Sequence, residues 1–223
     1  RLLKMLKQAT FIVLLGLSAS AMAGDWQVKL GASALAPQND DNGTLNVPVG
    51  GVVTPLKAEV SNQVNFTPSV EYFFNNSPIS VELLLALPFN HDVNIGPIED
   101  AASFKHLPPT ITAKYNFKNS TRFTPYIGVG ATVVVPWDEE LSQTTKTVTG
   151  AESLDAEVAY GVAGQIGFNF QPADAKNWGV FVDARYANVK TELTAKTANG
   201  TKVTLGDLEV NPWVYTLGYS YKF

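Results

Sequence analysis

The chain has no cysteine among its 223 residues, and only two histidines and two methionines. Disulfides, thiolate metal sites and cysteine nucleophiles are excluded at once. Charge is sparse: 16% of the residues are charged, with 20 acidic against 16 basic. That balance argues against nucleic acid as a partner, which calls for a basic patch. Beyond the first two dozen residues, no apolar run approaches the ~20 residues that a spanning helix needs. The average hydropathy is close to neutral. No internal repeat, low-complexity segment or linker breaks the sequence, so one domain is expected.

The first residues have their own character. Arg1, Lys4 and Lys7 precede the apolar run Phe11 to Leu17, and small residues finish in Ala21-Met22-Ala23. A basic start, a short apolar middle and an A-x-A end describe a secretory signal peptide. It is expected to cover 1–23, with cleavage after Ala23 and Met5 as the natural start. Its loss would take three of the 16 basic residues and none of the 20 acidic ones, leaving a net charge of −7. An exported chain without disulfides must draw its stability elsewhere. A closed β-barrel does so by pairing every backbone group with a neighbouring strand.

What the sequence has in abundance is a period of two. Trp213, Tyr215, Leu217, Tyr219, Tyr221 and Phe223 alternate with Thr216, Gly218, Ser220 and Lys222. Such a strand has one apolar face and one polar face. Facing water at a sheet edge it would invite aggregation; facing lipid it closes a barrel. The same rhythm marks six more candidate strands: Trp26 to Ala36, Gln63 to Phe74, Ile79 to Phe89, Pro109 to Phe117, Glu157 to Phe170 and Trp178 to Lys190; one further candidate, Phe123 to Trp137, is Gly- and Val-rich and alternates poorly. The connections alternate in length. Those after the second, fourth and sixth strands are short. Pro37 to Asn62, Asn90 to Pro108, Asp138 to Ala156 and Thr191 to Leu208 are long and polar. The expected fold is all-β: an eight-stranded antiparallel transmembrane β-barrel over 24–223, preceded by the cleavable signal peptide.

Aromatic residues Trp26, Phe74, Phe117, Phe123, Phe170, Trp178 and Phe223 fall near the short-turn ends. They fit a membrane-interface girdle, although aromatics are also common in any strand. The inward positions include Lys29, Glu71, Glu82, Lys114, Glu157, Gln165, Asp183, Arg185 and Lys222. Both signs are present, so the expectation is mutual pairing that closes the narrow lumen rather than a wide aqueous pore. Lipid of the outer membrane is the expected surroundings. The closing strand ending in Phe223 is the expected contact for the barrel-assembly machinery.

Several runs carry a family resemblance. They are Val81-Glu82-Leu83-Leu84, Leu87-Pro88-Phe89-Asn90-His91, Lys105-His106-Leu107-Pro108-Pro109-Thr110, Pro125-Tyr126-Ile127-Gly128-Val129-Gly130, Ala163-Gly164-Gln165-Ile166-Gly167 and Asn211-Pro212-Trp213-Val214, with the terminal Tyr219 to Phe223. Together they resemble the OmpW family of outer-membrane proteins over essentially the whole mature chain. The resemblance implies an eight-stranded barrel in a Gram-negative outer membrane. It also implies passive passage of small hydrophobic molecules, through an apolar pocket near the outer end and a lateral opening in the wall.

Lateral release needs a break in strand pairing, and proline supplies one because it cannot donate to the ladder. Pro108, Pro109, Pro136 and Pro212 lie at or near the loop-side ends of strands; they also serve simply to end them. The first long loop is unusually apolar at Val47, Pro48, Val49, Val52, Val53 and Leu56, which fits either a pocket or packing on the rim. The expected pocket and gate residues are Val52, Val53, Leu56, Leu107, Pro108, Pro109, Pro136, Trp137 and Tyr160. Tyr160 stands where the family often has tryptophan before a glycine, and its period equally allows it to face lipid.

Enzyme chemistry has little to stand on. His91 with Asp92, and His106 near Ser103, do not form a triad or a metal set by spacing. Gly128-Val129-Gly130 lies in a strand and is a packing or bulge feature, not a phosphate cradle. No catalytic residue, metal or cofactor is expected. The competing function is a structural or adhesion barrel whose long loops, including Asp40 and Asp41, bind phage, bacteriocin or host surfaces.

Overall fold

A computed structural model describes residues 26–37, 42–75 and 77–223. The expected signal peptide, Asp40 and Asp41 lie outside the described residues. The strands run in chain order as β1 (Trp26–Ala36), β2 (Thr44–Val49), β3 (Val52–Val60), β4 (Gln63–Phe73), β5 (Ile79–Leu84), β6 (Phe89–Ile95) and β7 (Ile98–Leu107). They continue as β8 (Thr110–Asn116), β9 (Phe123–Leu141), β10 (Ala151–Ala156), β11 (Ala159–Phe170), β12 (Trp178–Thr197), β13 (Lys202–Glu209) and β14 (Trp213–Lys222). Among the described residues one helix, α1 (Gln143–Thr149), precedes β10. Ser142 starts it by accepting from the Thr145 N–H, and Gly150 ends it at a φ of 70°. Both are the residue types those positions favour.

Eight of these strands close a ring. Each pairs antiparallel with the next in the order β1, β4, β5, β8, β9, β11, β12, β14, and β14 returns to β1 from Gln27↔Lys222 to Ala36↔Trp213. Closure leaves the wall no free edge. Along the wall the outward set includes Leu30, Ile111, Ile127, Val162, Ile166, Val182 and Leu217, all exposed. The inward set is polar and buried. Gly130 shows how tight the wall is: a Cβ there would lie 1.8 Å from the Ile111 carbonyl oxygen. Its role is close packing of β9 on β8. At the short-turn end the aromatics meet in pairs, with Trp26 on Tyr72 at 4.9 Å and Phe123 on Phe170 at 4.8 Å between ring centroids.

The long connections, expected as polar loops, are largely strand. They carry β2 and β3, β6 and β7, α1 and β10, and β13, while β9 and β12 run well past their expected ends. These segments enclose a second core. Leu45, Val60, Val93, Phe104, Leu154, Leu193, Leu205 and Leu208 are among its buried members. The third expected strand is also shorter than the period suggested. It stops at Leu84, and the chain from Leu85 to Pro88 joins no strand before β6 begins at Phe89. Two prolines opposite that break, Pro108 and Pro109, separate β7 from β8. β9 holds both pieces in line, pairing with β8 up to Thr110↔Thr132 and with β7 from Leu107↔Val135.

Candidate ligand-binding site

The polar floor comes first. Inward positions of β1, β4, β5, β8 and β12 bring Lys29, Glu71, Glu82, Lys114, Asp183 and Arg185 together. Lys29 Nζ lies 2.6 Å from Glu71 and 3.1 Å from Glu82. Lys114 Nζ sits 2.9 Å and 2.8 Å from the same two carboxylates. The Arg185 guanidinium donates to Glu82 at 2.6 Å and lies 3.4 Å from Asp183. Tyr126 and Gln165 donate to Asp183 at 3.1 and 3.0 Å. The Lys114 ammonium also rests 3.7 Å from the Tyr126 ring centroid. Three buried cations thus face three buried anions, and removal of any one leaves its partners uncompensated. Two residues expected inside take no part in this network: Glu157 and Lys222 are exposed, each at a rim where the wall ends, Lys222 at the short-turn mouth beside Gln27 and Asn116.

Above this floor lies a narrow cavity of about 60 Å³. A water needs at least ~10–15 Å³ of such space, so the void suits a small molecule. Its walls are nearly all apolar: Leu35 from β1, Leu84 and Ala86 at the end of β5, Phe89 and Phe104 from the β6–β7 hairpin, Ala163 from β11, Val189 from β12 and Val214 from β14. Thr67, Thr110, Thr132 and Arg185 form its lower border, and the second core begins above it.

The wall beside the cavity is weakly laced. From Phe73↔Ser80 to Ser69↔Leu84 the β4–β5 ladder is regular. Beyond that point it becomes one-sided. Leu85 N–H donates to Pro68 O at 2.8 Å and Leu87 N–H to Phe66 O at 3.1 Å. Pro68 cannot donate back. The Phe66 N–H turns to the Asn65 side-chain oxygen instead. The Asn65 amide then reaches across to the carbonyls of Leu87 and Pro88 at 3.3 and 2.8 Å. Higher up, side chains continue to bridge: Asp92 N–H donates to Ser61 Oγ at 3.0 Å, and His91 Nδ1 donates to the Ser61 carbonyl at 2.7 Å.

The two histidines stack at 5.0 Å between ring centroids, between the rings of Phe89 and Phe104. Burial holds both neutral. It pushes His106 down to about 3, with His91 beside it adding to the effect. Burial also lowers His91, against the pull of the Ser61 carbonyl. Among the described residues no three His, Cys, Asp or Glu side chains gather where a metal ion could sit.

The expected pocket residues are scattered. Pro108 and Pro136 line the cavity, and Leu107 and Pro109 flank Pro108 at the β7–β8 break. Leu56 packs on the second core. Val52 and Val53 are 67% and 64% exposed, at the start of β3 where it turns from β2. Trp137 is half-buried in upper β9, opposite Lys105. Tyr160, at 74% exposure, is on the outer surface and lines no part of the cavity. Sequence reasoning missed Leu35, Ala86, Ala163 and, above all, Pro68. The available signal was a proline inside a strictly alternating strand, where it must cost a ladder bond.

The OmpW family model matches residues 22–223. The chain belongs to the OmpW family. Outer membrane protein W of Vibrio cholerae serotype O1 is 32% identical over 207 residues, covering 90% of this chain and 89% of that protein. Outer membrane protein W of Escherichia coli K12 is 29% identical over 225 residues, or 99% and 100% of the two chains. The crystal structure of OprG from Pseudomonas aeruginosa aligns with a TM-score of 0.77 at 27% identity, covering 91% of this chain and 97% of that one. This OmpW-family protein is a β-barrel of the Gram-negative outer membrane and not an enzyme.

Proposed function

We propose that the barrel gives small hydrophobic molecules passive passage from the outer face into the bilayer, through the cavity and a lateral opening at the β4–β5 seam. The observation that carries this reading is the cavity's position, above an ion-paired floor and against a stretch of wall with half its backbone bonds missing. The number of contacts to be parted favours the sideways route. Passing downward means parting a network of buried ion pairs, at several kcal/mol each. Passing sideways means parting only two backbone bonds and the Asn65 bridges, half of what a regular ladder would hold against lipid. In this reading Pro108 and Pro136 border the cavity, and Leu107 and Pro109 form the break beside it. Val52, Val53 and Leu56 offer an apolar landing surface on the β2–β3 hairpin, while Trp137 in upper β9 and Tyr160, outward on β11 across the ring from the β4–β5 seam, stand away from the route. Strand β14, ending at Phe223, is the segment proposed for contact with the barrel-assembly machinery.

The test locks the seam. The bonds Leu85 to Pro68 and Leu87 to Phe66 continue the β4–β5 register and set Thr67 opposite Ala86, and both residues line the cavity. With no native cysteine, a Thr67→Cys/Ala86→Cys pair can be oxidised cleanly. Vesicles carrying the oxidised double variant should take up an apolar fluorescent tracer several-fold more slowly than the reduced form. Equal rates in the two forms would rule out the seam. Unchanged uptake together with loss of cell attachment on deleting the β2–β3 hairpin would favour the adhesion role instead.

A further inference from the structure

We infer that the cavity is built for a neutral molecule with an apolar body and one terminal hydrogen-bond acceptor, seated with its oxygen on the Nε–H of Arg185. This rests on the passage reading and narrows its substrate class. Arg185 is 5% exposed, borders the cavity, and spends its Nη2 on Glu82 and Asp183. Its Nε is buried with no partner. An unmade bond at a charged donor inside an apolar enclosure is costly, and a ligand oxygen would make it. The threonines at this border are already engaged. Thr110 donates to Thr132 at 2.9 Å, Thr67 shares a bond with Ser33 at 2.6 Å, and Thr191 donates to the Glu157 carbonyl at 2.6 Å.

Charge decides what sort of acceptor fits. Lys29, Lys114 and Arg185 are balanced by Glu71, Glu82 and Asp183. A ligand carboxylate would add a buried charge with no counter-charge, which is unfavourable. An ammonium would meet a donor with a donor. A ketone, ester or ether oxygen accepts the Nε–H without changing the balance. His106 is the rival anchor, since it also lines the cavity and its Nδ1 is buried without a partner.

The experiment compares octane, 2-octanone and octanoate as competitors of an apolar fluorescent probe bound to the full-length protein in vesicles. Each affinity is corrected for partition into protein-free vesicles. In the native protein 2-octanone should bind at least about tenfold tighter than octane or octanoate, the factor that ~1.4 kcal/mol corresponds to. Arg185→Lys keeps the charge but removes the Nε–H, and should erase that preference. His106→Phe keeps the stack and should leave it. Equal binding of octane and 2-octanone, or tightest binding of octanoate, overturns the inference while passage stands, and needs no variant to fold. Loss of the preference in His106→Phe alone overturns the assignment to Arg185. Failure of all three competitors to displace the probe removes the cavity as a ligand site and the passage reading with it.

Discussion

The lower and upper halves of this barrel are built on opposite rules, and one strand passes through both. In β12 every second residue from Phe181 to Ala195 turns inward. Low on the strand the inward residues are Phe181, Asp183 and Arg185 and the outward ones Val180 and Val182. High on it the inward residues are Val189, Thr191, Leu193 and Ala195, and the outward ones Lys190, Glu192 and Lys196. The backbone rhythm never changes; the polarity laid on it reverses near Tyr186 to Asn188. Lipid rewards an apolar outside, and water rewards an apolar inside. The cavity lies where the two rules meet, which is why it has an ionic floor and an apolar ceiling.

The most damaging way to break this comparison is to unbalance the lower half. Glu82→Leu strands Lys29, Lys114 and Arg185 without their shared partner. It should cost about 3–5 kcal/mol in urea unfolding from vesicles; a loss below about 1 kcal/mol would mean water already reaches the network. In the upper half Leu208, fully buried, should lose about 2–5 kcal/mol on truncation to Ala by the same assay. The outward face gives a sharper contrast. Val182→Arg should cost about 2–4 kcal/mol, because an outward cation there enters the hydrocarbon.

Acid should separate the halves further. A histidine held at about 3 when folded, as His106 is, refuses a proton that the unfolded chain takes up below ~6.5. Stability is therefore intact above about 6.5 and falls as pH drops from there toward 3, by about 1.4 kcal/mol per pH unit for this one group. Hydrogen exchange in the β6–β7 hairpin should report that loss, and His106→Phe should reduce it, leaving the share that His91 carries. The smallest effect is expected at Glu192→Arg. This position is outward like Val182 but above the reversal, and should change stability by no more than about 0.5 kcal/mol.

The reversal also explains what the sequence made legible. Strands β1, β8, β11 and β14 and the lower part of β12 announced themselves because lipid demands alternation from each of them. Lys29, Glu71, Glu82, Lys114, Gln165, Asp183 and Arg185 could be placed inside on period alone. Above the reversal the outward face turns charged, so Thr191 to Thr197 looks like a polar loop although it continues a strand. The cavity was harder still. Its walls come from distant strands, and alanines such as Ala86 and Ala163 matter only for the space they leave. Pro68 was visible but unweighted, since the residues around it alternate so regularly. What it removes is a donor, and a hydrophobicity pattern does not record donors.

The length of β12 has a geometric consequence. Its 20 residues at ~3.3 Å each run about 65 Å, and a tilt of ~40° converts that to about 50 Å of height. The apolar band of an outer-membrane barrel is only ~25 Å tall. About half of the strand's height therefore stands clear of the hydrocarbon, a turret raised above the bilayer. In the proposed passage an oily visitor would meet its rim before touching lipid at all.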